Sequence, residues 1–187
     1  MQANETPADG IWQRCFIALA PDMATRDALA ALEVPTGARR VPYEQLHLTV
    51  TFIGSLTAER CDVLAAKLAQ QDTPLESAGI TAIEHWPGAV HPRLTVATLA
   101  MTDSLLKLDW RIRSLMIELG LPVDARAFRP HITLARFGRD ADAVNHVEQP
   151  SPDLTASFES LILYSSTLAR HGARYRALAS ATSGREQ

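Results

Sequence analysis

Apolar and polar positions alternate along the chain with two different periods. Residues 14–20 (RCFIALA) form a short apolar run ended by Pro21, which predicts a strand. Asp22 then stands where a helix N-cap is needed, for a helix to about Glu33 with Leu29 and Leu32 on its apolar side. Residues 46–53 (LHLTVTFI) are rich in β-branched side chains and alternate at period two, a second strand. Thr57 is placed to cap the next helix, to about Gln70, with Leu64 and Leu68 inward. Strands are predicted over 79–86 and 94–101, with Pro87, Gly88 and Pro92 between them. The strongest helical period covers 104–119. There Leu105, Leu108, Ile112, Leu115, Met116 and Leu119 recur at spacings of three and four, after a capping Asp103 and before Gly120 and Pro122. Residues 131–137, 158–165 and 174–178 complete the predicted strands, and 140–152 is a polar loop.

A repeat emerges from this pattern. Strand, helix, loop and strand occur once over 14–54 and again over 93–138. The second strands of the two units are HLTVTFIG (47–54) and HITLARFG (131–138). Both read His, apolar, Thr, apolar, two variable positions, apolar, Gly. Two such octapeptides at matching places point to a duplication, or to two lobes facing each other across a cleft.

On a strand, residues i and i+2 share a face. His47, Thr49 and Thr51 are thus predicted on one face, with Leu48, Val50 and Phe52 on the core side. His131 and Thr133 share a face, with Ile132 and Leu134 opposite. If the lobes face each other, two imidazoles and two hydroxyls line one cleft. That set suits phosphodiester chemistry. Histidine can give or take a proton near neutral pH, and threonine hydroxyls can donate hydrogen bonds to phosphate oxygens as charge grows there.

Composition narrows the picture. The 187 residues, 47% hydrophobic, suit one globular unit or two small lobes with a shared core. A formal net charge of −3 excludes a strongly basic coat, so a nucleic-acid partner would be held locally by a few arginines. Cys15 and Cys61 lie in no CxxC or Cys/His cluster and read as two buried thiols. The start, MQANETPADG, lacks the basic and apolar parts of a signal peptide, and no run is long enough for a membrane span; a cytoplasmic location is expected. The expected organisation is a disordered leader (1–10), a single bilobal domain (11–179) and a flexible tail (180–187). No unassigned apolar stripe is evident, and a monomer is expected.

Paired His-x-Thr-x motifs within such a unit resemble the signature of the 2H phosphoesterases. Within them the chain is similar to the RNA 2′,3′-cyclic phosphodiesterases, also described as 2′-5′ RNA ligases. The resemblance spans about Arg14 to Leu178 and rests on FIAL, VPYEQLHLTVTFIG, FRPHITLARF, LILYSS and GARYRAL. It implies an α+β, bilobal and pseudo-symmetric fold, with two antiparallel sheets facing a central cleft and helices outside. It also implies metal-independent opening of RNA 2′,3′-cyclic phosphate ends to 2′-phosphomonoesters, with no cofactor. His47 would be the proton donor and His131 the proton acceptor, and Thr49 and Thr133 would bind the phosphate; the residues alone are symmetric and do not distinguish the histidines. The chain departs from the family over 85–92 (HWPGAVHP), where a Phe-Pro stretch and a basic loop are usual.

Other residues near the motifs are weaker candidates. Arg129 and Arg136 flank the second motif as candidate phosphate or substrate contacts; Arg136 has the parity of the core side and is expected at a strand end, where it can turn to solvent or to phosphate. Trp86 and Tyr43 could stack on a nucleobase, His85, His91 and His171 could border the cleft, and Trp12 and Trp110 read as packing. RNA ends or small cyclic nucleotides are the expected partners. Three rival readings stand beside this one. A metal-dependent phosphohydrolase would want His-x-His or clustered carboxylates, which the motifs lack. A non-catalytic RNA-end-binding module would keep the fold alone. A related enzyme acting on ADP-ribose cyclic phosphate or 2′-5′ oligoadenylate would share the chemistry.

Overall fold

The structure is a computed structural model and describes residues 7–71, 75–139, 141, 143, 153–169 and 172–182. Strand β1 (Ile11–Pro21) leads into helix α1 (Met23–Ala31), a two-residue strand β2 (Arg39–Arg40), a 3-10 turn (Tyr43–Gln45) and β3 (Leu48–Thr57). Helix α2 (Ala58–Ala69) and β4 (Ala78–Trp86) follow, then β5 (Leu94–Leu99), α3 (Asp103–Glu118) and β6 (His131–Arg136). Strands β7 (Thr155–Ala156), β8 (Phe158–Ala169) and β9 (Gly172–Thr182) complete the described chain. The last strand runs four residues past its predicted end, so Ser180 to Thr182 belong to the sheet. His146 and His171 lie outside the described residues.

Side-chain caps start the helices. Asp22 accepts from the Thr25 N–H (2.9 Å) and Thr57 from the Arg60 N–H (3.3 Å), as predicted. The cap of α3 is Thr102, whose hydroxyl accepts from the Leu105 N–H (3.2 Å). Asp103 is instead the first helical residue, where its charge favours the positive end of the helix. Leu64 and Leu68 of α2, with Leu105, Leu108, Ile112 and Met116 of α3, pack with Ile17, Leu19, Leu48 and Ile132 of the strands in one core. The far side of α3 carries Leu106, Trp110 and Ile117, and Trp110 is 73% exposed. It is not a packing residue, and an apolar stripe does remain unassigned. Cys15 and Cys61 are buried free thiols; burial pushes their pKa values up to about 12 and about 11. No described helix is long and apolar enough to cross a membrane.

The sheet departs from expectation. The described strands form one nine-stranded antiparallel sheet, in the order β7-β4-β5-β6-β3-β1-β8-β9 with β2 also on β6, rather than two sheets facing each other. The repeat survives as two halves, β5–β6 and β1–β3, each an antiparallel pair with a helix in its connection. The halves are continuous because β3 and β6 pair with each other, through Leu48↔Ile132 alone. Both residues are fully buried in the core, so the seam is held by side-chain burial more than by a ladder.

Candidate active site

The seam builds the site. In an antiparallel pair, partner numbers move in opposite directions, so the register Leu48↔Ile132 sets Thr133 across from His47 and Thr49 across from His131. All four side chains point away from the buried pair, onto one face. They line a cleft of about 900 Å³.

A β-bulge follows each motif at its fourth residue. Ala18 pairs with Thr49 and Ile17 with Thr51, leaving Val50 as the extra residue. Val96 pairs with Thr133 and Thr95 with Ala135, leaving Leu134 extra. A bulge shifts the side-chain alternation by one. Hence Thr51 is buried at 8% exposure, and Phe52, predicted in the core, is 60% exposed on the cleft. The same shift buries Ala135 and turns Arg136 outward into the cleft. Arg136 ends β6 and faces the cleft, as expected for an arginine at a strand end, and the bulge explains why it does so despite its core-side parity. Phe52 and Arg136 occupy equivalent positions, five residues after each histidine.

Each histidine is held in the same way. Nδ1 of His47 lies 2.6 Å from the Gln45 carbonyl oxygen, and Nδ1 of His131 lies 2.8 Å from that of Arg129. A carbonyl only accepts, so Nδ1 carries the hydrogen in both rings. The Nε2 end is left for the cleft, as an acceptor in the neutral ring and a donor in the charged one. Electrostatics separate the two. His47 lies against Phe16 (5.2 Å between centroids), Tyr175 (5.3 Å, edge-on) and Tyr164 (6.4 Å). Burial pushes its pKa down to about 4, against the pull of the Gln45 carbonyl, and the charges of Arg136 and His131 lower it further. His131 packs on Trp86 at 4.5 Å. Its pKa is also lowered, by burial first and then by Arg129 and Arg136, with the Arg129 carbonyl opposing.

Trp86 is placed by its indole N–H, which donates to Glu84 Oε2 at 2.6 Å, and the Arg129 guanidinium lies 4.3 Å over its ring. It therefore packs against a motif histidine. Tyr43 instead donates to Asp27 Oδ1 (2.8 Å) and lies off the cleft. His85 is within 3.2 Å of the Thr95 hydroxyl, His91 is exposed, and neither lines the cleft. Trp12 is buried, as predicted.

The charge of the cleft was not legible in the net charge. Among the described residues it is lined by seven arginines and one acid, Asp124. Asp124 is held by Arg126 (2.6 Å), which lowers its pKa to about 2. The arginines missed by sequence reading are Arg14, Arg39, Arg40, Arg113 and Arg126. Arg39 and Arg40 form a dipeptide shortly before the first motif, which is a signal that was available. Arg14 was not findable: it sits at φ 51° on a bulge of β1, a left-handed conformation that re-aims its side chain. No three described His, Cys, Asp or Glu side chains are grouped as a metal site.

Comparison with known proteins bears on this geometry. A model of the LigT-like phosphoesterases matches residues 99–175. The RNA 2′,3′-cyclic phosphodiesterase of Escherichia coli (strain K12) is 32% identical over 154 residues, covering 77% of this chain and 79% of that protein. The protein of the same description from Thermotoga maritima is 26% identical over 146 residues, covering 76% and 78%. A crystal structure of E. coli LigT complexed with 3′-AMP superposes with a TM-score of 0.73 at 26% identity, over 93% of this chain and 99% of that one. A crystal structure of a Thermus thermophilus protein gives 0.74 at 28% identity, over 93% and 100%.

Proposed function

Because the chain belongs to the LigT-like phosphoesterases of the 2H family, we propose that it opens RNA 2′,3′-cyclic phosphate ends to 2′-phosphomonoesters without a metal ion. The observation that carries this reading is the pair of Nδ1-anchored imidazoles set beside two threonines by the Leu48↔Ile132 seam. The E. coli relative crystallised with 3′-AMP supports a nucleotide ligand.

His131, the less depressed of the two, takes a proton from water at Nε2. The water oxygen attacks phosphorus, and the bond from phosphorus to the ribose 3′ oxygen breaks. His47 gives its Nε2 proton to that departing oxygen. Thr49 and Thr133 donate to the non-bridging oxygens, whose charge grows in the transition state, and Arg129 and Arg136 supply positive charge beside them. The assignment of donor and acceptor follows the family resemblance. It requires His47 to be charged in the complex although burial keeps it neutral in the empty cleft. The phosphate anion supplies the counter-charge that raises its pKa.

The test is incubation of the protein in excess EDTA with a short RNA ending in 2′,3′-cyclic phosphate. The expected product is the 2′-phosphate. His47→Ala and His131→Ala should each lose on the order of 10²–10⁴-fold in rate while melting as folded proteins. Activity that needs added metal, or a 3′-phosphate product, would overturn the reading.

A further inference from the structure

Trp86 ends β4, and the ladder assigns its neighbours. It stands opposite Leu94 on β5, and Leu94 stands opposite Arg136 on β6. Two residues earlier, Glu84 begins another row across the same strands, Glu84↔Val96↔Thr133. The pleat is unbroken between Glu84 and Trp86, so both side chains leave one face, the face of Thr133 and the cleft. By register Trp86 belongs beside Arg136. Its ring lies instead 4.5 Å from the imidazole of His131, at the opposite end of β6. One hydrogen bond accounts for the displacement. The indole N–H donates to Glu84 Oε2 (2.6 Å), which draws the ring back along β4, from the row of Arg136 towards that of Thr133 and His131.

The indole also closes a circuit around His131. The Arg129 guanidinium lies 4.3 Å over the indole, and the Arg129 carbonyl accepts the Nδ1 hydrogen of His131 (2.8 Å). A hydrogen bond at Nδ1 fixes the tautomer, but the imidazole can still tilt about it; a ring against its flank removes that freedom. His47 is enclosed by Phe16, Tyr164 and Tyr175, from three strands. Among the described residues, Trp86 is the one ring packed on His131. The direction of its Nε2 therefore depends on where a single indole is held, and that depends on a single carboxylate. Glu84 does not line the cleft, so its influence on the reaction has to pass through the indole.

We propose that Glu84 and Trp86 are a positioning pair for His131: the carboxylate holds the indole, and the indole aims Nε2 at the attacking water. The inference rests on the phosphodiesterase reading above. Proton transfer at the moment of attack needs a short, aligned path, so a small tilt of the base slows the chemical step while the phosphate contacts persist.

The test is a mutant cycle read on adenosine 2′,3′-cyclic phosphate. Glu84→Ala should lose about tenfold in kcat with KM little changed. Glu84→Gln, whose amide oxygen still accepts the indole N–H, should recover most of that loss. Trp86→Phe keeps a ring but has no N–H to donate; it should lose at least as much as Glu84→Ala, and adding Glu84→Ala to it should cost nothing further. An unchanged kcat in Glu84→Ala, or independent losses that multiply in the double variant, overturns the pair. If Glu84→Ala does not melt as a folded protein, Trp86→Phe is read in its place, and full kcat there overturns the pair. Proton NMR of the free protein gives a readout without substrate, because the ring current of an indole displaces the resonances of an imidazole beside it. The His131 ring signals, identified by their loss in His131→Ala and recorded well above the histidine titration range, should move in Glu84→Ala and stay in Glu84→Gln. If wild type does not cleave the cyclic phosphate, the phosphodiesterase reading fails and the spectra alone decide whether the pair places His131. Signals that move in Glu84→Ala uphold it, and unmoved signals overturn it.

Discussion

A histidine whose pKa falls on folding acts against the folded state in acid. His47 moves from the ordinary histidine range of about 6.5 to about 4. Between those values the unfolded chain binds the proton and the folded one does not. Stability from this group is therefore complete above about pH 6.5 and is lost as pH falls towards 4. Thermal melts across pH 4–7 should show the decline, and His47→Phe should flatten it; an identical slope in the variant would remove His47 as its cause. Under the proposed mechanism the same burial shapes catalysis. Substrate phosphate should draw a proton onto His47, so calorimetry in buffers of different ionisation enthalpy should detect proton uptake on binding near pH 6. The kcat profile should then be bell-shaped, with its acidic form persisting to higher pH than in kcat/KM. This residue-scale chemistry was half legible. The two His-x-Thr pairs stand in plain sequence, but the rings around His47 come from β1, β8 and β9, and no spacing along the chain brings Phe16, Tyr164 and Tyr175 together.

Strands and helices were legible wherever one face was buried and the backbone regular. The helices begin where Asp22 and Thr57 said they would, and the two strand–helix–strand units are present. What failed was phase. Period-two counting assumes an unbroken pleat, and each motif strand is broken by a bulge immediately after its threonine and extra residue. That one irregularity misplaced Thr51 and Phe52 together. The number of sheets failed for a related reason: one residue pair decides whether two hairpin-like halves are separate or continuous, and periodicity is silent on a single pair. That pair carries a prediction. Leu48→Ala or Ile132→Ala removes a fully buried side chain at the seam and should cost about 2–5 kcal/mol in urea unfolding. Activity should fall too, under conditions where both variants are folded, because the quartet takes its register from that pair. Full activity in a folded, destabilised variant would mean that the histidines are positioned independently of the seam.

At the scale of the whole molecule, charge is segregated rather than abundant. The chain is net −3, yet seven arginines and a single acid line the described cleft. Such a site steers anions from a distance and does so less well in salt. The affinity for an RNA end should fall with a logarithmic salt slope of about −0.7 for each phosphate engaged. A titration of binding against potassium chloride checks this; a slope near zero would mean that the arginines serve structure alone. The seam also joins two halves of one pattern. Residues 47–52 and 131–136 follow the same burial order one for one: half-buried, buried, half-buried, buried, buried, exposed. Each half alone carries one imidazole and one hydroxyl, and the single Leu48↔Ile132 contact is what brings the two sets together. Phenylalanine five residues after one histidine and arginine five residues after the other give an otherwise symmetric cradle a left and a right.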